Sequence, residues 1–233
     1  MSKIWTLARR DFRAYFNSPI AYIVIALFLV IMGWMFFANL TYFNLSNLQA
    51  RQYGGGKGVS ITEGIVRPLF GNMNVVLLFI VPFITMRLFA EERKNHTLEL
   101  LMTSPLTLNQ LIVGKFVSAL MLLGVMLAMT LVYPIVLVAT GNPELGPIMT
   151  SLLGTFLLTS ALMSLGVLFS ALTENQIVAA SLTFASGLFF WLINWASQWA
   201  GSVMGEFFNY LSLINHFNNF SRGLIDTSDV LFY

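Results

Sequence analysis

Residues 20–40 of the chain read IAYIVIALFLVIMGWMFFANL and contain no Lys, Arg, Asp or Glu. An α-helix needs roughly 20 consecutive apolar residues to cross the hydrocarbon core of a bilayer, and this run is long enough. The charge-free stretch around it extends from Ala14 to Ala50. We therefore predict a membrane-spanning helix over Ile20–Leu40.

Further charge-free stretches follow at residues 68–86, 116–143, 145–173 and 175–205. Trimmed at turn residues, they predict spans over Leu69–Met86, Leu108–Ala139, Ile148–Leu172 and Ile177–Trp199. The residues Asp229–Tyr233 begin another apolar run. We interpret this run as the start of a sixth span that is cut off, or as a tail at the membrane interface. The predicted fold is an all-α polytopic membrane protein with a single domain over residues 1–233.

The composition agrees with a membrane protein. Of the 233 residues, 57% are hydrophobic and 9% are charged, whereas soluble domains carry about 25% charged residues. The absence of cysteine excludes disulfides and thiolate metal sites, and a net charge of +2 is too small to indicate nucleic-acid binding. The first apolar run is too long for the core of a cleavable signal peptide, so we expect a permanent helix.

The distribution of basic residues predicts the orientation, because cytoplasmic connections carry the excess of Lys and Arg. With a cytoplasmic N-terminus, eight basic residues lie on the cytoplasmic side: Lys3, Arg9, Arg10, Arg13, Arg87, Arg93, Lys94 and Lys115. Four lie outside: Arg51, Lys57, Arg67 and Arg222. We predict a multi-pass protein of a bacterial-type inner membrane with its N-terminus in the cytoplasm.

Residues 1–17 have the pattern of an amphipathic helix. On a helical wheel, one arc holds the apolar residues Ile4, Trp5, Ala8, Phe12, Tyr15 and Phe16, and the opposite arc holds Lys3, Thr6, Arg9, Arg10 and Arg13. Such a helix lies in the interface of a membrane. Ser18 is a suitable N-cap for the first span. In a plainer interpretation, the arginines only fix the topology.

Residues 87–105, RLFAEERKNHTLELLMTSP, form the longest charged stretch and connect the second and third spans. The stretch predicts a short helix, a second helical turn up to Met102 and a break before Pro105. Thr107 and Gln110 predict a capping box at the start of the third span. The apolar side chains of Leu98, Leu101 and Met102 lie beside Glu91, Glu92 and Glu99, a combination that suits a groove on a soluble partner. The alternative is a loop whose charges only keep it in the cytoplasm.

Several signatures are missing from the sequence. Neither Gly56-Lys57 nor Gly114-Lys115 has the spacing of a phosphate-binding loop, so ATP would be handled by a partner. We find no ionisable residue in the middle of a span, which argues against an ion-coupled secondary transporter. The two histidines, His96 and His216, fall on opposite predicted sides, which argues against an intramembrane enzyme. A secondary transporter, a membrane scaffold and a subunit that transmits force remain as alternatives.

The run Glu91–Pro105, followed by Gly114-Lys115, resembles the coupling segment of the ABC-2 type permeases, and most of all that of the gliding-motility-associated permeases. In that family an acidic–basic cluster precedes Gly-Thr-hydrophobic-Glu-hydrophobic-Leu and then a proline. This sequence keeps Thr97, Glu99, Leu101 and Pro105, and it has His96 where glycine is usual. The resemblance extends over the whole chain, including residues 1–17 and the segment 211–226.

The resemblance implies a non-catalytic, membrane-spanning permease of an ATP-driven exporter. Its partners would be a pair of ATPase subunits that bind ATP and Mg, a second permease that is identical or related, the lipid bilayer, and an auxiliary protein on the outer side. Coupling to the ATPase would run through the segment 87–107, with Glu91, Glu92, Arg93, Thr97, Leu98, Glu99, Leu101, Met102 and Pro105.

The same resemblance implies roles for the two other segments. The interfacial helix, with Trp5, Arg9, Arg10, Phe12 and Arg13, would move with the coupling segment. Residues 201–227 would form re-entrant helices on the outer side, with Asn215, His216, Asn218 and Asn219 as an outer gate. A lone histidine such as His216 is more often structural than a ligand.

Overall fold

The computed structural model describes residues 3–52, 59–97, 99, 107–197 and 202–233. These residues form helices and contain no strand. The α-helices are α1 (Lys3–Asn17), α2 (Pro19–Gln52), α3 (Arg67–Thr85), α4 (Ala90–Lys94), α5 (Leu108–Thr130), α6 (Val132–Thr140), α7 (Leu145–Leu172), α8 (Gln176–Ser197), α9 (Ser202–Leu211), α10 (Leu213–Ser221) and α11 (Thr227–Phe232). A π-helical turn, Thr62–Val66, leads into α3.

Five helical segments are long and apolar enough to cross a membrane: Pro19–Ala50, Thr62–Lys94, Leu108–Thr140, Leu145–Leu172 and Gln176–Ala196. They correspond in order to the five predicted spans, and this part of the prediction is confirmed. The chain is a multi-pass membrane protein.

The first span is longer than predicted, because α2 continues from the predicted end at Leu40 to Gln52. No glycine or proline interrupts residues 34–52. The hydroxyls in this stretch also bond within the helix: Thr41 Oγ1 donates to the Phe37 carbonyl oxygen at 3.0 Å, and Ser46 Oγ donates to that of Tyr42 at 2.8 Å. The polar residues after Leu40 suggest in the sequence that the helix ends there, but in the structure they do not end it.

The second span, α3, is the most enclosed of the five and packs against α2, α7 and α8. Glycines permit the close approach of its neighbours. A Cβ atom at Gly166 of α7 would lie 2.2 Å from Thr85 Oγ1, and one at Gly187 of α8 would lie 2.7 Å from Leu78 Cδ1. The core of the bundle is therefore built around α3.

The bundle has two ends. The α1/α4 end consists of α1, α4 and the first turns of α5. The α9/α10 end consists of the start of α3, residues 141–144, α9 and α10. At this second end the Glu144 backbone N–H donates to Thr62 Oγ1 at 3.3 Å, and Thr150 Oγ1 donates to the Phe220 carbonyl oxygen at 2.6 Å.

The segment predicted to be re-entrant, 201–227, contains the short helices α9 and α10. α10 packs against α7, where a Cβ atom at Gly154 would lie 2.7 Å from Phe220 Cβ. The apolar run predicted to begin a sixth span forms α11, and Asp226 caps its first turn by accepting from the Ser228 backbone N–H at 3.1 Å. This hydrogen bond holds the pKa of the Asp226 carboxyl below its usual value.

Candidate functional site

The turn that joins α3 to α4 is held by one side chain of α7. Ser170 Oγ accepts from the backbone N–H groups of Phe89 and Ala90 at 3.0 and 3.1 Å, and it donates to the Met86 carbonyl oxygen at 3.0 Å. Backbone groups at a helix end need such partners when they are buried. In addition, Arg93 Nη1 donates to the Ala171 carbonyl oxygen at 2.9 Å. The predicted short helix is therefore confirmed as α4, and it is fixed to the end of α7.

α4 ends in a left-handed residue. The φ angle of His96 is +53°, and it is the one non-glycine residue with positive φ among the described residues. The Thr97 N–H donates to the Glu92 carbonyl oxygen at 2.9 Å, and the His96 N–H donates to that of Arg93 at 3.0 Å. These two bonds form a Schellman motif, whose left-handed position favours glycine. The geometry explains why glycine is usual at this position in the pattern that the sequence resembles.

Lys115 joins three helices at the α1/α4 end. Its side chain extends from α5 and is 4% exposed. Its Nζ atom lies 2.7 Å from Glu92 Oε1 on α4 and 3.4 Å from Asp11 Oδ2 on α1. The Nζ atom also lies 5.2 Å from the centre of the Phe89 ring, within the range of a cation–π contact. We call Asp11, Glu92 and Lys115 the charged triad.

Arg10 extends the charged triad toward solvent. Its Nη2 atom lies 2.8 Å from Asp11 Oδ1 and 3.9 Å from Glu92 Oε1, and its side chain is 54% exposed. The half-exposed Arg10 contributes little by comparison with Lys115, because solvent screens exposed pairs. The buried part of the network thus consists of one cation between two carboxylates from different helices.

The triad depends on a close approach of α1 to α5. A Cβ atom at Gly114 would lie 2.7 Å from Leu7 Cδ2, so a side chain there would push the two helices apart. Leu7 and Ala8 are buried in this contact. Burial also raises the pKa of Tyr15, with a further contribution from the nearby charge of Asp11.

The structure corrects two sequence-based expectations. The buried face of α1 is turned toward Leu7 and Asp11 relative to the predicted apolar arc, because α1 packs against α5. The count of basic residues in the sequence places Lys115 in the connection between the second and third spans. It lies instead inside α5, two turns from Leu108. A single lysine in an otherwise apolar helix is a signal of function that could have identified it.

The structure locates five of the nine predicted coupling residues. Glu91, Thr97 and Glu99 are exposed, whereas Glu92 and Arg93 are half-buried in the contacts described above. The predicted residues Leu98, Leu101, Met102 and Pro105 lie outside the described part of the chain. The predicted capping box is confirmed: Thr107 Oγ1 accepts from the Gln110 backbone N–H at 3.4 Å, and Gln110 Oε1 accepts from the Thr107 N–H at 3.3 Å.

The predicted interfacial segment forms the helix α1. Trp5, Arg9, Arg10 and Arg13 are exposed, and Phe12 is half-buried with its ring 5.1 Å from that of Phe16. The predicted cap before the first span is present, since Ser18 Oγ accepts from the Ile20 backbone N–H at 3.4 Å.

The predicted outer gate lies at the α9/α10 end. His216 Nδ1 lies 2.6 Å from Asp229 Oδ1, and its Nε2 lies 2.8 Å from the Tyr210 carbonyl oxygen. Since both ring nitrogens face oxygen acceptors, the ring donates at both, or the Asp229 carboxyl holds the shared proton. Asn219 Nδ2 also donates to Asp229 Oδ2 at 2.8 Å. The contact gives His216 a structural role between α10 and α11.

The remaining gate residues are not brought together with His216 by direct hydrogen bonds among the described residues. Asn215 Nδ2 donates to Asn209 Oδ1 at 3.1 Å, and Asn218 is exposed. Within the described residues no group of three or more His, Asp and Glu side chains is arranged to hold a metal ion.

A family model described as "ABC-2 family transporter protein" matches residues 5–230. No curated protein matches the chain. The match covers α1, the five spans and the helices of the α9/α10 end.

Proposed function

Because the chain belongs to the ABC-2 family of transporter proteins, it is a membrane component of an ABC transporter, and we propose that it receives the motion of a separate ATPase through the charged triad. In this proposal α4 and the exposed Glu91 and Glu99 form the docking surface. The ATPase subunits bind ATP and Mg, and this chain is the non-catalytic permease.

The observation that carries the proposal is the position of Lys115. A displacement of α4 moves Glu92, and the 2.7 Å pair to Lys115 passes that displacement to α5. The 3.4 Å contact of Lys115 with Asp11 passes it to α1. α4 is also fixed to α7 by Ser170 and Arg93. A displacement of α4 would therefore move the spans α5 and α7 and the N-terminal helix α1 together.

The finer features of the proposal come from the resemblance of residues 91–105. The protein would be an exporter of the gliding-motility-associated type in an inner membrane, with α1, α4 and the N-terminus on the cytoplasmic side. α1 would lie in the interface, and α9 and α10 would be re-entrant helices with the outer gate. A second permease would pair with it in the membrane, and exposed aromatic side chains such as Trp34 and Phe37 on α2 are available for that contact or for lipid.

The proposal is tested by purifying the tagged chain from its native membrane in mild detergent. We expect a soluble ATPase to co-purify with the wild type and to be lost from the double variant Glu91→Arg/Glu99→Arg. The matched control is Glu144→Arg/Glu206→Arg, which reverses two exposed carboxylates at the α9/α10 end.

The control variant should retain the ATPase. If the ATPase is retained by both variants, docking does not involve α4 and the docking part of the proposal fails. If no ATPase accompanies the wild type in any mild detergent, the coupling role as a whole is contradicted.

A further inference from the structure

A cavity of about 360 Å³ lies beside the charged triad, between α1 and α2 on one side and α3 to α5 on the other. The charged and amide side chains of its lining come from α1, α5 and residues 87–95: Asp11, Arg87, Glu91, Glu92, Asn95 and Lys115. Its apolar lining comes from the spans α2, α3 and α5: Ile20, Ala21, Val24, Phe83, Ile84 and Leu122. The cavity thus joins a charged region at the end of the bundle to an apolar region within it.

The polar lining has groups without partners. Arg87 makes no hydrogen bond or ion pair with the described residues, and its enclosed Nε atom is unsatisfied. The enclosed Oε2 atom of Glu92 also has no partner there, although Oε1 binds Lys115. Leaving a buried polar atom without a partner is unfavourable, and more so when its group is charged. A ligand that offers an acceptor to Arg87 and a donor to Glu92 would remove both penalties.

The charge of the lining restricts the ligand. Three carboxylates and two cations line the cavity, so a purely anionic headgroup would meet an excess of negative charge. A phosphate suits the guanidinium of Arg87. An ammonium group with N–H donors suits Glu92 and the neighbouring Glu91, whereas a quaternary ammonium has no donor to offer.

The size and the rim point to a lipid headgroup. The volume lies at the lower end of the roughly 300–1,000 Å³ of small-molecule sites, which suits a headgroup but not a whole two-chain lipid. Ile20 and Phe83, which are 40% and 58% exposed, lie on the apolar side. Acyl chains could leave the cavity over them into the surrounding bilayer.

We infer that this cavity binds the headgroup of a membrane phospholipid that carries a phosphate and a primary ammonium, as phosphatidylethanolamine does. The phosphate pairs with Arg87, and the ammonium pairs with Glu91 and Glu92. The bound lipid then contacts α1, α2, α3 and α4 at once and ties the end of the bundle to the bilayer. The inference rests on the membrane placement of the helices and does not depend on the ATPase.

The test is a thermal melt of the full-length protein in detergent, with added phosphatidylethanolamine or phosphatidylcholine of identical acyl chains. At saturating lipid, we expect phosphatidylethanolamine to raise the melting temperature by on the order of 5 °C and phosphatidylcholine to give less than half of that shift. Arg87→Gln should lose the shift. The control Lys94→Gln removes the same charge from an exposed residue of α4 outside the cavity and should keep it.

A second variant covers the case in which Arg87→Gln does not fold. Val24→Phe fills the apolar part of the cavity without changing a charge, and it should also reduce the phosphatidylethanolamine shift to less than half. Native mass spectrometry should show one such lipid retained per chain in the wild type and not in these variants. Any of three outcomes would overturn the inference: equal shifts with the two lipids, a larger shift with anionic phosphatidylglycerol, or an unchanged shift in Val24→Phe and Arg87→Gln. The cavity would then hold water or an unspecific annular lipid.

Discussion

Lys115 is buried, and its charge is balanced by carboxylates from two other helices. Removing one partner of a buried ion pair typically costs about 3–5 kcal/mol, because the remaining charge stays buried without compensation. We therefore expect Lys115→Met to lower the free energy of unfolding by about this amount. The measurement is denaturant unfolding in detergent. Lys94→Met, at an exposed position, should stay within about 0.5 kcal/mol of the wild type.

A combined variant separates loss of charge balance from loss of packing. Adding Asp11→Asn and Glu92→Gln to Lys115→Met removes the two uncompensated carboxylates, and most of the lost stability should return. A Lys115→Met protein as stable as the wild type would show that the charged triad is not enclosed in the folded state.

His96 occupies the left-handed position at the end of α4, where its Cβ atom is unfavourable. We expect His96→Gly to raise the free energy of unfolding by about 0.5–1 kcal/mol. Asn95→Gly is the matched control, because the φ of Asn95 is −90° and glycine brings no relief there. A melt that shows His96→Gly to be less stable than the wild type would mean that the imidazole makes a contact worth more than the strain.

At the scale of elements, the packing of α3 against α7 depends on Gly166. A Cβ atom there would lie 2.2 Å from Thr85 Oγ1 and 2.6 Å from Thr85 Cβ, so Gly166→Ala forces the helices apart. Overpacking of this kind costs about 1–3 kcal/mol. Gly124→Ala in α5 is the control, since nothing lies within 4 Å of its added Cβ and alanine favours the helix. The two variants should therefore change the melting temperature in opposite directions, and a neutral Gly166→Ala would contradict the packing.

The sequence predicts the elements better than their rotation. The lengths of the stretches without charged residues locate the five spans, and the capping motif of Thr107 and Gln110 locates the start of α5. The buried face of α1 is decided by a distant partner, since Gly114 admits Leu7 and Lys115 attracts Asp11. No local pattern encodes that pairing. The end of α2 is misplaced for a related reason, because its hydroxyls bond to their own helix rather than ending it.

For the molecule as a whole, the sequence predicts the candidate site only in part. The segment 87–107 and its acidic residues are found from charge and from the resemblance. Lys115 is missed, because counting it as a loop charge hides that it is buried within a span. Asp11 and Glu92 balance the charge of Lys115, so we leave it out of the count of basic residues. Seven instead of eight then remain on the predicted cytoplasmic side, against four outside. The predicted orientation therefore keeps its basis after this correction.

That orientation can be tested with single cysteines, because the chain has none of its own. Glu144 and Glu174 are both exposed and lie before and after α7, one at each end of the bundle. We expect a membrane-impermeant maleimide to label Glu144→Cys in intact spheroplasts and to label Glu174→Cys only after lysis. The same two variants in lysed membranes control for reactivity. The reverse pattern would place α1 and α4 outside, where a cytoplasmic ATPase could not reach them, and labelling of both sites in intact spheroplasts would mean that α7 does not cross the membrane.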